Sequence, residues 1–242
     1  ANVSSLEAWI AMFGYAVQLY FDFSGYSDMA VGLGKFFHLD FPQNFASPYK
    51  SKNITEFWRR WHLSLSSWLR DYLYISLGGN RKGPSRTYFN LLTTMLLGGL
   101  WHGAGWNFVI WGAMHGGALA FERKLKDLSF SIAVPDFIRT GICFFYVCLA
   151  WVFFRAESFD KAIIWFERMF AFDSHATLNI LGRHESRMIV AMIVGLGIAF
   201  KAKNTFEKFD SYSKLRFVSM AVLFVLSLMY LRAESVFLYF QF

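Results

Sequence analysis

The chain has 242 residues, enough for one large domain or two small ones, and is 55% hydrophobic, 20% aromatic and 17% charged. Soluble domains carry about 25% charged residues, so this composition, with apolar runs recurring between basic loops, argues against a soluble protein and for a polytopic membrane protein. The formal net charge of +7 sits at the ends of apolar runs without forming a long basic stripe, which fits cytosolic loops and anionic lipid head groups and argues against a nucleic-acid partner.

Single apolar runs fall short of the about 20 residues of a full crossing. Several are therefore expected to cross with help from flanking aromatics, or to be buried or re-entrant. The chain does not begin with Met, shows no cleavable signal peptide, and runs at once into an apolar segment, as a piece of a longer protein would.

Residues 9–23 are predicted to form a first apolar helix, running into Y-F-D-F-S-G-Y-S-D-M-A-V-G. Asp22 and Asp28 are acidic groups in this apolar stretch. They are expected to face a protein interior or a water-filled cavity, or, more plainly, to pair with arginines or cap a helix break at Gly25, since buried membrane carboxylates need partners. After a connector with Pro42 and Pro48, Asn53 and Glu56 have the spacing of a capping box. Residues 54–75 then place Ile54, Phe57, Trp58, Trp61, Leu65, Trp68 and Tyr72 at helical spacing. That predicts an aromatic amphipathic helix at the membrane interface or packed across other helices. His62 lies on the flank of its apolar stripe, a position more often filled by a packing residue than by a catalyst.

Residues 77–86 form a turn-rich basic loop expected on the cytosolic side. Residues 87–121 are again apolar and end in E-R-K-L-K. As one helix they would run roughly 52 Å, against about 30 Å of hydrocarbon core. The chain must break, and Gly98, Gly99, Gly103 and Gly105 around His102 mark the place. With both flanks basic, the segment is expected to dip in and return, with His102 near its deepest point. A long broken helix crossing once is the alternative. An ionisable group at such depth is costly and marks function. His115, in the same apolar segment, reads as a packing residue.

Residues 137–154 predict a crossing helix holding Cys143 and Cys148 as buried thiols, with no disulfide. Residues 158–170 predict an interfacial amphipathic helix, 172–187 a polar loop with solvated His175 and His184, and 188–200 and 217–231 further crossings. The basic loops 81–86, 123–126 and 201–216 are placed inside, 172–187 outside, and the aromatic C-terminal tail at an interface on the outer side. There is no internal repeat, phosphate-binding glycine motif, nucleophile elbow or Cys/His metal spacing. His62 and His102 are 40 residues apart, a separation that matches no metal motif and leaves open whether they share a site.

Four stretches together resemble one family. They are Q-L-Y-F-D-F-S-G-Y-S-D-M-A-V-G-L-G (18–34), I-T-E-F-W-R-R-W-H-L-S-L-S-S-W-L-R-D-Y-L-Y-I-S-L-G-G-N-R (54–81), L-L-G-G-L-W-H-G-A-G-W-N-F-V-I-W-G (96–112) and W-V-F-F-R-A (151–156). With the terminal F-L-Y-F-Q-F they are similar to the membrane-bound O-acyltransferase family, in the bacterial branch that serves alginate O-acetylation. The resemblance implies an all-α, polytopic transmembrane protein with short, broken and interfacial helices around a central tunnel. It implies that residues 1–242 are a single membrane domain, the C-terminal portion of a longer chain, with a motif core at 15–156 and C-terminal membrane helices at 157–242.

By the same resemblance His102 is the catalytic histidine and His62 its companion, with Trp101, Trp106 and Asn107 candidates for shaping the substrate pocket. The implied activity moves an acetyl group from a thioester such as acetyl-CoA to a hydroxyl of an alginate-like exported polysaccharide, with no tightly bound cofactor and no metal. The implied partners are membrane lipids, a polysaccharide acceptor and a periplasmic acetyltransferase-type protein, at the bacterial inner membrane. Acyl or alanyl transfer to another envelope polymer, and a non-catalytic channel or scaffold, are the alternatives.

Overall fold

A computed structural model describes residues 3–129, 133–171, 183–208 and 214–230, and among them the chain is helical with no strand. Helix α1 (Ser5–Phe36) starts at a full capping box: Ser4 Oγ accepts from the Glu7 amide, and the Glu7 carboxylate accepts from the Ser4 amide at 2.8 Å. The expected break at Gly25 is absent. A single mid-helix glycine costs about 1 kcal/mol, and the buried stripe that α1 lays against later helices, including Tyr15, Leu19, Tyr20 and Phe23, outweighs it. Asp28 also departs from expectation, because it accepts from the Thr205 hydroxyl at 2.5 Å and not from an arginine.

The helix predicted over 54–75 is three pieces. Helix α2 (Ile54–Trp58) and helix α3 (Leu63–Trp68) are separated by a break, and a wider π-type turn, Leu69–Tyr74, follows. The cause is the connector before them. The Ala46 amide donates to the Arg60 carbonyl at 2.9 Å, and the Leu63 amide to the Asn44 carbonyl at 2.9 Å. These bonds take up backbone groups that a continuous helix would have used. His62 sits in the break with φ 44° and ψ 59°, a left-handed conformation, and not on the flank of a helix. Only half of the expected capping box forms. Asn53 accepts from the Glu56 amide at 2.7 Å, but Glu56 accepts from the Lys52 amide and from Arg60 instead of returning to Asn53.

Helices α4 (Pro84–His102) and α5 (Trp106–Asp127) form an antiparallel hairpin whose turn is Gly103–Ala104–Gly105. The break falls where length and glycine content put it. The helices nearly touch backbone to backbone: a Cβ on Gly99 would lie 2.3 Å from the Phe108 carbonyl oxygen, and one on Gly112 would lie 2.4 Å from that of Met95. At the open end the Tyr88 hydroxyl donates to Asp127 at 3.0 Å. Both basic flanks thus lie at one end and His102 at the other. At 1.5 Å per residue α4 is about 28 Å long, close to the hydrocarbon thickness of about 30 Å.

Helix α6 (Asp136–Arg155) is the one helix, among the described residues, long and apolar enough to cross a membrane. It holds Cys143 and Cys148 as buried free thiols and packs against α1 and α5. Helix α7 (Phe159–Phe170) is capped by Ser158. Helices α8 (Arg183–Lys201), α9 (Thr205–Lys208) and α10 (Lys214–Tyr230) follow. Since α8 begins at Arg183, the end of the expected polar loop 172–187 is helical. The rest of that loop, with His175, and the aromatic tail lie outside the described residues, as does the side chain of His184.

Candidate active site

The break at His62 and the hairpin tip at His102 converge on a cavity of about 20 Å³, lined by His62, His102, Leu19, Phe23, Trp58, Trp61, Leu65, Trp111, Trp151 and Phe154. That volume holds about one water, or one group of hydroxyl size. Two imidazoles 40 residues apart in sequence therefore share one small aromatic-walled space. A larger apolar cavity of about 850 Å³ lies among α1, α6, α7 and α8, with Trp151 lining both.

His62 is oriented by Asn44. Its Nδ1 lies 3.2 Å from Asn44 Oδ1, which also accepts from the Ser64 amide at 3.2 Å and from the Ser64 hydroxyl at 3.0 Å. The Asn44 amide nitrogen donates to Ser27 Oγ at 3.3 Å, which aims the amide oxygen at the imidazole. A neutral His62 facing that acceptor carries its proton on Nδ1, leaving the Nε2 lone pair available. Phe23 holds the ring edge to face at 4.8 Å. His102 is the last residue of α4. Its ring is packed edge to face by Trp111 at 5.3 Å and Phe154 at 5.0 Å, with Trp101 at 4.9 Å.

The other sequence candidates lie outside the cavity. Trp101 and Trp106 are 60% and 73% exposed on the hairpin tip. Asn107 is buried, and its amide donates to the carbonyls of Ala156 at 2.9 Å and Phe153 at 3.4 Å, tying the start of α5 to the end of α6. Asn107→Ala should leave both carbonyls without that donor and lower stability by about 1–3 kcal/mol, read as a lower unfolding midpoint in detergent. His115 is also outside the cavity, fully buried in α5. Among the described residues no group of three His, Cys, Asp or Glu side chains is placed to hold a metal.

Sequence reasoning missed Asn44, and nothing near it in F-P-Q-N-F signals a partner for His62. Trp58 and Trp61 were visible as an apolar stripe, but their stripe reads as packing until the break turns it around His62.

The arrangement suits proton transfer from a hydroxyl: a neutral imidazole with a free lone pair, a second imidazole on the same space, and largely aromatic walls. The chain belongs to the membrane-bound O-acyltransferase family, whose sequence model matches residues 4–159, and is accordingly a membrane protein. It is similar to the probable alginate O-acetylase AlgI of Azotobacter vinelandii, 57% identical over 167 residues, which cover 69% of this chain and 33% of that protein. The probable alginate O-acetylase AlgI of Pseudomonas putida is 43% identical over 268 aligned residues, covering 100% of this chain and 54% of that one. The peptidoglycan O-acetyltransferase of Helicobacter pylori is 39% identical over 265 aligned residues, covering 100% and 50%. The chain thus spans about a third to a half of the length of these relatives.

Proposed function

We propose that this protein is a multi-pass bacterial inner-membrane O-acyltransferase that moves an acetyl group from a thioester donor to a hydroxyl of an exported polysaccharide. The observation that carries the reading is the shared cavity of His62 and His102. The names of the alginate O-acetylases and the peptidoglycan O-acetyltransferase to which the chain is similar support the substrate class. Residues 1–242 are taken as a single membrane domain.

In this scheme His102 removes the proton of the attacking hydroxyl as its oxygen bonds to the acyl carbon. The carbon–sulfur bond then breaks, and the departing thiolate takes up a proton. His62, oriented by Asn44, holds the hydroxyl or stabilises the charge that develops on the carbonyl oxygen. The acceptor is the polysaccharide itself or a periplasmic acetyltransferase that passes the group on, and acetyl-CoA is a donor of the right chemistry. Trp101 and Trp106, exposed at the hairpin tip, would stack on an acceptor sugar. Trp106→Ala should raise KM severalfold with kcat little changed, as loss of uniform binding requires.

The test supplies a labelled acetyl thioester to membrane vesicles containing the complete protein and follows the label. Covalent label on polymer or partner hydroxyls, lost when the protein is omitted, is the expected result. Label that crosses the membrane without forming an ester would identify a channel, and unchanged acetylation without the protein would refute the proposal.

A further inference from the structure

Helix α2 has only five residues, far below the length at which a helix holds itself together in isolation, yet it carries Trp58 into the cavity and leads directly to His62. Its two ends are both bonded to α5. At the start, the Glu122 carboxylate accepts from the Ile54 amide at 2.6 Å, the Thr55 amide at 2.9 Å and the Thr55 hydroxyl at 2.6 Å. At the end, the Trp58 indole N–H donates to His115 Nδ1 at 3.2 Å. His115 and Glu122 are seven residues apart, two turns of α5 and hence one face. Helix α5 is also the second arm of the hairpin whose tip carries His102.

His115 has the marks of a residue kept for more than bulk. It is 0% exposed, and Phe57 stacks on it at 6.0 Å. Because Nδ1 accepts from Trp58, the neutral ring carries its proton on Nε2, which has no hydrogen-bond partner among the described residues. A buried orphan donor is destabilising, and an apolar side chain of similar size would avoid it.

We infer that His115 and Glu122 are positioning residues, through which α5 grips α2 at both ends and sets Trp58 and His62 in register with His102. The inference rests on the reading of His62 and His102 as the reacting pair.

The experiment uses the complete protein in lipid nanodiscs. It reads two nuclear magnetic resonance signals, the Trp58 indole N–H and the His62 imidazole, assigned by their loss in Trp58→Phe and His62→Gln. His115→Leu should shift both signals and lower kcat about tenfold with KM within twofold of wild type. His115→Asn, whose amide oxygen keeps an acceptor, should return both signals and most of kcat. Glu122→Gln, which replaces one carboxylate acceptor by a donor, should shift the His62 signal as well, and it carries the test if His115→Leu does not fold. An unmoved His62 signal in His115→Leu and Glu122→Gln would overturn the inference, as would a moved signal with unchanged kcat. A wild-type preparation that transfers no acyl group would count against the proposed activity alone, and the nuclear signals would then decide the positioning claim.

Discussion

His102→Ala is expected to lower the rate of acyl transfer by 10²–10⁴-fold, the usual contribution of a positioned general base, while leaving the protein folded. The size follows from the chemistry. An alcohol must shed its proton as it attacks the thioester carbonyl, and the cavity that His102 shares with His62 holds only about one small molecule that could substitute as base. The fold should survive because His102 stands at the very end of α4, only half-buried, beside the turn and not between the packed arms of the hairpin. The measurement is labelled ester formed per mole of folded protein, with the unfolding midpoint followed in parallel. A drop of less than tenfold would remove His102 from the role of base. If His62→Ala then showed the larger loss, His62, with the Asn44 orienting bond, would take that role.

The second large effect concerns packing. Gly112→Ala should destabilise the protein by about 3 kcal/mol, the upper end of the range for overpacking. The added Cβ would lie 2.4 Å from the Met95 carbonyl oxygen and 3.0 Å from Leu96 Cα. These are backbone atoms of α4, so no side-chain rotation relieves the clash and the two arms must separate. Gly117→Ala is the matched control. It lies five residues further along the same helix, exposed, where a Cβ would meet nothing within 4 Å. There the change should stabilise by up to about 1 kcal/mol through helix propensity. Opposite signs from one chemical change on one helix, read by denaturant titration in nanodiscs, would establish the close approach of the arms. Equal effects would show that the arms do not approach closely at Gly112.

The glycines near His102 illustrate what the sequence can and cannot disclose. Length alone required a break in residues 87–121, and Gly103 and Gly105 supply it. Gly98 and Gly99 looked like part of the same break but are helical. Gly99 is there to let α5 approach, which depends on a partner segment that a linear reading cannot place. His62 shows the opposite failure. Residues 54–72 have good helical periodicity, and the aromatic stripe is real, since Phe57, Trp58 and Trp61 are all buried. The stripe stops there, with Trp68 and Tyr72 exposed, and the helix is interrupted by backbone bonds from residues 44–46, a tertiary effect that local spacing does not encode. Both histidines stood out through the family motifs, but their convergence and the Asn44 contact required three dimensions. Helix α6 was the easiest element to read, because a long apolar run bounded by Asp136 and Arg155 leaves few alternatives.

On the proposed mechanism, the left-handed backbone at His62 sets heat resistance and chemistry against each other. Holding a side chain other than glycine or asparagine at φ 44° costs on the order of 1–3 kcal/mol. A laboratory evolution campaign that selects survivors of heating alone would therefore reward glycine or asparagine at this position and discard the imidazole. Thermostable descendants of this protein need selection for turnover as well, or they will drift toward well-folded, inactive scaffolds.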